Sequence, residues 1–479
     1  HEGYVENDFK RQSLMLWMYS HTGPVLARGD VNKDGLDDVF ISGDQQKPGN
    51  VWIQQKTGAD AFKKIAGLTI GDETVSAIAA AVFFDANGDG YDDLYVAMGG
   101  YSLFEPNTPS LQDQLYLNNG RGNLSLSKTP LPDLSASSKS CVRPGDFDGD
   151  GDLDLFVGGL IIPGRYPETP TSYLLENVGN GQFRTVAAPF ANAGMVTDAQ
   201  WADLDNDNRP DLLLCGEFMP VKIYLNTKTG FVDKTTQFFA NDESGFWHSL
   251  TVADVNGDGK KDLIVGNLGT NSQIKTAPNE PADLYYADFD GNGSIDPFFC
   301  FYVQHKPHPF VSRDELNDQI YGMRRRFGFY KDYANASLTD LFTAEELTPA
   351  KKLTVSETRS VCFLNKDNRF DKHVLPLQAQ FSPVTSSVVQ DFNHDGHMDV
   401  LLLGNKSDNR LKLGSMDANY GCLLTGNSTG DFTYMSQPGS GLSVVGDVKS
   451  VLGLRVRQTP YLMIGAFNQP LQVYKPQQP

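Results

Sequence analysis

The feature that most narrows the folds open to this chain is a nine-residue acidic motif, fullest at Asp146-Phe147-Asp148-Gly149-Asp150-Gly151-Asp152-Leu153-Asp154. Carboxylates stand at its positions one, three, five and nine, so a tight turn aims several oxygens at one centre. Calcium, a hard cation, takes six to eight oxygens at about 2.3–2.6 Å from carboxylates, amides, backbone carbonyls and water. Asp152, at position seven, is expected to offer its backbone oxygen. Gly151, at position six, supplies the positive φ that a residue with a Cβ adopts reluctantly. An EF-hand would need a bidentate Glu at position twelve and flanking helices. Here position twelve is Val157, inside the strand-like run Leu155-Phe156-Val157 that precedes Gly158-Gly159. The motif predicts a calcium loop closing a β-hairpin.

Six further copies follow the same spacing. The expected ligands are Asp30, Asn32, Asp34 and Asp38; Asp85, Asn87, Asp89 and Asp93; Asp146, Asp148, Asp150 and Asp154; and Asp203, Asp205, Asp207 and Asp211. They continue with Asp254, Asn256, Asp258 and Asp262; Asp288, Asp290, Asn292 and Asp296; and Asp391, Asn393, Asp395 and Asp399. In the fourth copy Asn208 replaces the glycine, and Asn is the next best residue at positive φ. The first five copies begin at 30, 85, 146, 203 and 254, each between short runs of Val, Leu, Ile, Phe and Tyr, a hairpin signal. A unit of this length reads as strand, calcium loop, strand, variable connection, strand, short Gly turn, strand. Four short strands repeated at a regular period predict a β-propeller.

The rhythm then breaks. The sixth copy begins only 34 residues after the fifth, and the seventh 103 residues after the sixth. Between them Ser312 with Glu315 makes a capping-box pattern, and 340–353 is rich in Ala, Glu, Leu and Lys, so a helical insertion is expected over 304–355. A last hairpin, Ser443 to Asp447 into Tyr461 to Gly465, keeps its strands but only Asp447 of the ligand set, and no metal is expected there. The expected fold is all-β: a single propeller domain over 1–479 with seven four-stranded blades and one extra calcium hairpin around 283–303. Eight blades is the alternative. The segment Phe9 to Leu16 reads as a lone strand that completes the final blade after Leu471-Gln472-Val473-Tyr474, closing the ring and removing open edges.

Charge and cysteine usage fit that reading. The formal net charge of −19 argues against nucleic acid, whose phosphates demand clustered Lys and Arg. Much of the acidity is metal chemistry, because seven Ca²⁺ would bring −19 to −5. The five cysteines, Cys141, Cys215, Cys300, Cys362 and Cys422, are scattered singly in apolar runs, which is neither a disulfide framework nor a zinc cluster. Buried thiols are expected, with a Cys300–Cys362 bridge as the alternative. No run approaches the roughly 20 apolar residues of a membrane span. The chain opens at His1 without Met or an apolar signal region and is expected to be a mature chain or an excised domain. Calcium loops of this kind point to an extracytoplasmic setting, secreted, periplasmic or at the cell surface, where calcium is plentiful.

The hairpins resemble the FG-GAP/VCBS repeats of integrin α-chain propellers. More closely, the chain is similar to the secreted bacterial proteins related to cartilage acidic protein, the ASPIC-type VCBS-repeat group. The stretches that carry this are Gly23-Pro24 before Gly29-Asp30-Val31-Asn32, Asp154 to Gly159 with Pro163-Gly164-Arg165-Tyr166-Pro167, Gly194 to Ala199, Gly266-Asn267-Leu268-Gly269, and Gln380-Phe381-Ser382-Pro383. The resemblance implies export and calcium binding, and further domains in a longer chain, but no agreed activity. It also implies that the metal loops share one face, while the connections between second and third strands and between blades form the other. Long loops on a rigid scaffold are where binding usually resides. On that second face the candidates are Arg165, Tyr166, Asp198, Glu217 with Phe218, Trp247, His248, Asn267 and Arg410. Aromatics with carboxylates and arginine suit a glycan or an extracellular protein. Asp198 and Glu217 are the pair for the rival reading, a polysaccharide lyase or hydrolase, if their separation fits glycoside chemistry. Arg324-Arg325-Arg326 in the insertion is the one basic cluster.

Overall fold

The computed structural model describes residues 6–43, 48–71, 77–241 and 243–475. The apolar runs that flank each acidic loop pair with one another as antiparallel hairpins. In the first sheet Leu26–Gly29, Asp38–Ile41, Asn50–Gln54 and Phe62–Lys64 hydrogen-bond in sequence order. Among the described residues eight such sheets form: six of four strands, one of five and one of three. The fifth strand of the larger one is the short Gly245–Phe246, paired with Asp211–Met219.

Register is the same at every loop. Gly29 lies opposite Asp38, Phe84 opposite Asp93, Gly145 opposite Asp154 and Ala202 opposite Asp211, with Ala253–Asp262, Ala287–Asp296 and Gln390–Asp399 completing the series. The ninth-position aspartate therefore always closes the hairpin. The second strands Asp93–Met98, Asp211–Met219 and Asp399–Gly404 are buried along their whole length, since neighbouring sheets cover both of their faces. Between the second and third sheets, for example, Phe84, Tyr95 and Leu115 interdigitate with Val142, Leu155 and Leu175. Each such side chain contributes about 1.5–3 kcal/mol by leaving water.

Seven first strands lie against one another in chain order. Leu26–Gly29 meets Ile78–Phe84, which meets Ser138–Gly145, then Met195–Ala202, Ser249–Ala253, Val384–Gln390 and Val448–Val456. The last of these also meets Leu26–Gly29. Arg28 donates to the carbonyl of Gly453 at 2.9 Å, Arg455 N–H to Asp37 at 2.6 Å, and Leu26 and Val39 pack with Leu454 and Met463.

The eighth sheet interrupts the fifth one, between Asp262–Gly266 and Val361–Asn365, in the order Lys306–Pro309, Asp296–Val303, Ala282–Ala287, Lys351–Val355. The sixth acidic loop belongs to it. Short helices follow, Arg313–Gln319, Met323–Arg326, Tyr330–Tyr333, Leu338–Leu341 and Ala344–Leu347. The capping box is present: Ser312 Oγ accepts from Glu315 N–H at 3.3 Å and the Glu315 carboxylate from Ser312 N–H at 2.6 Å. Leu316, Met323, Phe327, Leu341 and Phe342 bury against Phe298 and Leu14. The stretch 340–353 is helical only in part, because Lys351–Val355 joins the sheet edge.

Two expectations are corrected. The segment at 9–16 is not a strand of the final blade: it forms the 3₁₀ turn Asp8–Lys10 and bends, and the last sheet stops at three strands, Val448–Val456, Thr459–Ala466 and Gln472–Tyr474. Its apolar run Leu14 to Trp17 is buried on every side rather than on alternate sides, and its polar groups hold loops. Asp8 accepts from Tyr19 N–H at 2.6 Å, Ser20 N–H at 2.8 Å and Ser102 Oγ at 2.6 Å. The alternative Cys300–Cys362 bridge is also absent. All five cysteines are buried free thiols, and these two lie in different sheets. No described helix is long and apolar enough to cross a membrane.

Candidate functional site

Each acidic loop is built from its own backbone. In the third copy Asp146 accepts from Gly149 N–H at 2.7 Å and Gly151 N–H at 3.1 Å, Asp148 from Asp150 N–H at 3.2 Å, and Asp150 from Asp152 N–H at 2.9 Å. These bonds curl the turn so that side chains one, three and five share its inside. Position six has φ between +65° and +97° in all seven copies, with Asn208 at +65°.

The ninth aspartate is the exception to loop exposure. Asp38, Asp93, Asp154, Asp211, Asp262, Asp296 and Asp399 are all fully buried. Asp154 accepts from Phe147 N–H at 3.0 Å and, across the sheet, from Asn177 N–H at 2.8 Å on the third strand. Asp93 does the same with Ala86 and Asn118, Asp211 with Leu204 and Asn226, and Asp262 with Val255 and Asn365. Asp296 departs from the pattern, taking its second bond from the Gln319 side chain at 2.6 Å.

The donor set fits a hard divalent cation. In three copies the ligand oxygens already lie within 4.8 Å of one another: Asp146, Asp148 and Asp154; Asp203, Asp205 and Asp211; Asp288, Asp290 and Asp296. Burial pushes Asp154 up to about 7, and Asp38, Asp93, Asp211 and Asp296 up to about 6, with the neighbouring loop carboxylates adding to the rise. Buried carboxylates crowded by like charge are the setting a cation relieves. The remaining copies bring Asn32, Asn87, Asn256 and Asn393 to position three, each accepting from the position-five N–H through its amide oxygen.

The second-face candidates are brought together in part, but beneath a cap. Tyr166, Glu217, Trp247, Asn267 and Arg410 are buried. Glu217 accepts from Trp17 Nε1 at 3.0 Å and Tyr19 O–H at 2.5 Å, both from the N-terminal segment. Burial raises its carboxyl above the usual range, with Lys406 and these two donors opposing the rise. Tyr166 lies 5.7 Å from the Tyr19 ring, and Phe218 stacks edge-on to Phe246 at 4.9 Å. Asn267 ties backbones together, accepting from Leu268 N–H at 2.8 Å and donating to Glu357 O at 3.0 Å. Arg410 is paired with Glu315 of the insertion, Asp198 with Arg143, and exposed Arg165 with Glu168. Trp247 belongs to the core between the fourth and fifth sheets, and His248 lies 6.3 Å from Trp17. Burial pushes the His248 imidazole far below its usual value, with Lys406 and Lys449 contributing.

Sequence reasoning missed the partners of these residues. Trp17 and Tyr19 stand some 200 positions from Glu217, and the buried Lys139–Asp113 pair at 3.0 Å has no spacing signature. Exposed aromatics are concentrated on the inserted helical segment instead: Tyr321, Phe329 and Tyr330 are 73%, 68% and 67% exposed, with Arg324 over the Tyr321 ring at 4.8 Å. Arg324 also meets Asp318 and Arg326 meets Glu346, both at 3.1 Å.

A model of the FG-GAP-like repeat matches residues 30–96, 104–157 and 203–265, spans that contain the first five acidic loops. The chain thus carries FG-GAP-like repeats in an all-β, propeller-like fold. No curated protein matches it. Similar solved structures include the V. cholerae biofilm matrix protein Bap1, 11% identical over 96% of this chain and 88% of that one, with a TM-score of 0.37. Saccharomyces cerevisiae Sqt1 is 12% identical over 96% and 98%, at 0.46. BBS1N, solved with ARL6DN and soaked with lead, is 10% identical over 97% of both, at 0.40.

Proposed function

We propose that this chain is an exported β-propeller of seven blades, stapled by calcium at its acidic loops and allied to the ASPIC-type group, that serves as a recognition module for an extracellular glycan or protein. The observation that carries the recognition reading is the exposure of Tyr321, Phe329 and Tyr330 on the inserted segment, with Arg324 over the Tyr321 ring and Arg313 over the Tyr330 ring. Aromatic rings with arginine are the residues enriched where proteins bind partners. The loops support the calcium reading through an all-oxygen donor set and buried, crowded carboxylates. Their abundance favours a structural use, since seven copies of one element staple seven hairpins.

A glycan array with the calcium-loaded chain tests this, run beside the Tyr321→Ala/Phe329→Ala/Tyr330→Ala variant. Saturable binding without turnover, lost in the variant, is expected. Release of unsaturated or reducing ends from a polysaccharide would replace recognition with catalysis. Binding that survives the triple substitution would move the surface elsewhere.

A further inference from the structure

A cavity of about 180 Å³ lies among the starts of the first strands, roofed by Met18, Tyr19 and His21 of the N-terminal segment. Besides Tyr19, six titratable side chains line it: His21, Lys139, Glu217, His248, Lys406 and Lys449. Three of them are matched inside the protein. Lys139 meets Asp113 at 3.0 Å, His21 meets Asp408 at 2.5 Å, and Glu217 accepts from Trp17 and Tyr19.

The other three are not. Lys406 Nζ lies over the Trp17 ring at 4.8 Å and Lys449 Nζ stands 5.9 Å from the Phe467 ring, and among the described residues neither has a hydrogen-bond acceptor or an ion pair. His248 Nε2 is buried with no partner. A ring face accepts one ammonium contact and leaves the remaining donors of a three-donor group unmet. Both lysines are half-buried, so their remaining donors are open to water or a ligand, whereas the buried His248 Nε2 is an atom of the kind nearly always matched by protein, water or ligand. Asp447, which accepts from Ser407 N–H and Oγ at 2.8 Å, stands with Asp113 and Asp408 behind the lining, so the region is close to balanced in charge. What the cavity lacks is therefore acceptor atoms rather than negative charge in bulk.

We propose that this cavity binds a small oxyanion, a carboxylate, sulfate or phosphate group, between Lys406, Lys449 and His248. Each such group offers several acceptors to converging donors, and charge-assisted bonds to an oxyanion are the strong ones. The volume admits a free ion or the acid end of a monosaccharide. Burial pushes the Lys406 ammonium down to about 8, with Lys449 adding to the fall and Glu217 opposing it, which an anion alongside would reverse. The site is distinct from the aromatic surface on the insertion and does not depend on it.

Titration calorimetry of the whole chain at fixed ionic strength, with sulfate, inorganic phosphate, acetate and D-glucuronate in separate runs, tests the proposal and separates its sources. At least one should bind saturably at one per chain, and Lys406→Met or Lys449→Met should weaken it by about tenfold or more. Lys406→Arg should restore part of the affinity. Because the substitutions also touch the core, the unmodified sequence provides a second reading: with lysines carrying ¹³C-methyl labels, the Lys406 and Lys449 signals should shift on titration. Absence of saturable heat with all four anions overturns the site, as does binding that leaves both lysine signals in place.

Discussion

Lys139 is fully buried, yet its ammonium reaches Asp113 at 3.0 Å, and the same carboxylate accepts from Tyr95 O–H at 2.8 Å and Met98 N–H at 2.9 Å. Burial pushes Asp113 up and Lys139 holds it back, so each charge is tolerable only with the other present. Replacing Lys139 by Met strands a carboxylate in the core, and urea denaturation should show a loss of about 3–5 kcal/mol. The double variant Lys139→Met/Asp113→Leu should regain most of it. Lys406 is the opposite case, an ammonium with ring contact whose nearest carboxylates, of Glu217, Asp447 and Asp408, act on it without forming an ion pair among the described residues. Its folded-state value of about 8 lies below the 10.5 of an ordinary lysine, so between the two the unfolded chain holds more protons and stability rises with pH. Below the lower value the penalty is present in full. The advantage of Lys406→Met over the wild type, read as urea midpoints, should therefore shrink between about pH 7 and pH 10. An advantage that stays constant across that range would contradict the burial of the charge.

At the scale of the hairpin, the acidic loop serves its own backbone as well as the calcium proposed for it. Asp154 accepts N–H groups from the loop and from the third strand, so Asp154→Ala removes acceptors from two backbone amides, of Phe147 and Asn177. With EDTA present this should cost about 2–4 kcal/mol in urea melts, from the penalty of unmet buried donors. Asp148→Asn, on the exposed side of the loop, should cost little in EDTA but reduce the rise in Tm that the proposed calcium should produce by binding the folded state alone. Equal losses for both variants in EDTA would refute the backbone role of Asp154. The loop itself was legible in the sequence, because its ligand spacing and positive-φ position are local properties: Asn208 stands at +65° where its six counterparts are glycine. The third-strand bond was not. Its partner is Asn177 for Asp154 but Asn365 for Asp262, since the inserted sheet separates the latter pair along the chain. No fixed spacing can announce a contact whose intervening loop varies so widely.

For the whole molecule, what the sequence concealed is the capped end. The repeating strands could be counted from their loops, but Leu14 to Trp17 carries the same apolar signature whether it pairs at a sheet edge or fills a hole. Only the crowd around it decides. Tyr101 of the second sheet's loop, Tyr166 of the third sheet's loop, Phe218 of the fourth sheet, Phe299 and Phe310 of the inserted sheet, and Met416 of the sixth sheet's loop form one cluster with Met15, Leu16 and Trp17. The same physics hid the second-face candidates, because exposed and capped loops share a composition. Trp17 is the keystone of this cluster, fully buried, edge-on to Phe246 at 5.0 Å and bonded to Glu217. Trp17→Ala should cost about 3–5 kcal/mol, the range for deleting a buried aromatic. Trp17→Phe keeps most of the packing but takes one donor from a buried carboxylate, and should cost about 1–3 kcal/mol, largely recovered by adding Glu217→Gln. Because the cluster joins strands and loops of several sheets, the loss should appear in urea as an earlier transition of the whole chain. If Trp17→Ala instead produced a small separate transition and left the main one unmoved, the N-terminal segment would be a loosely attached lid rather than part of the core.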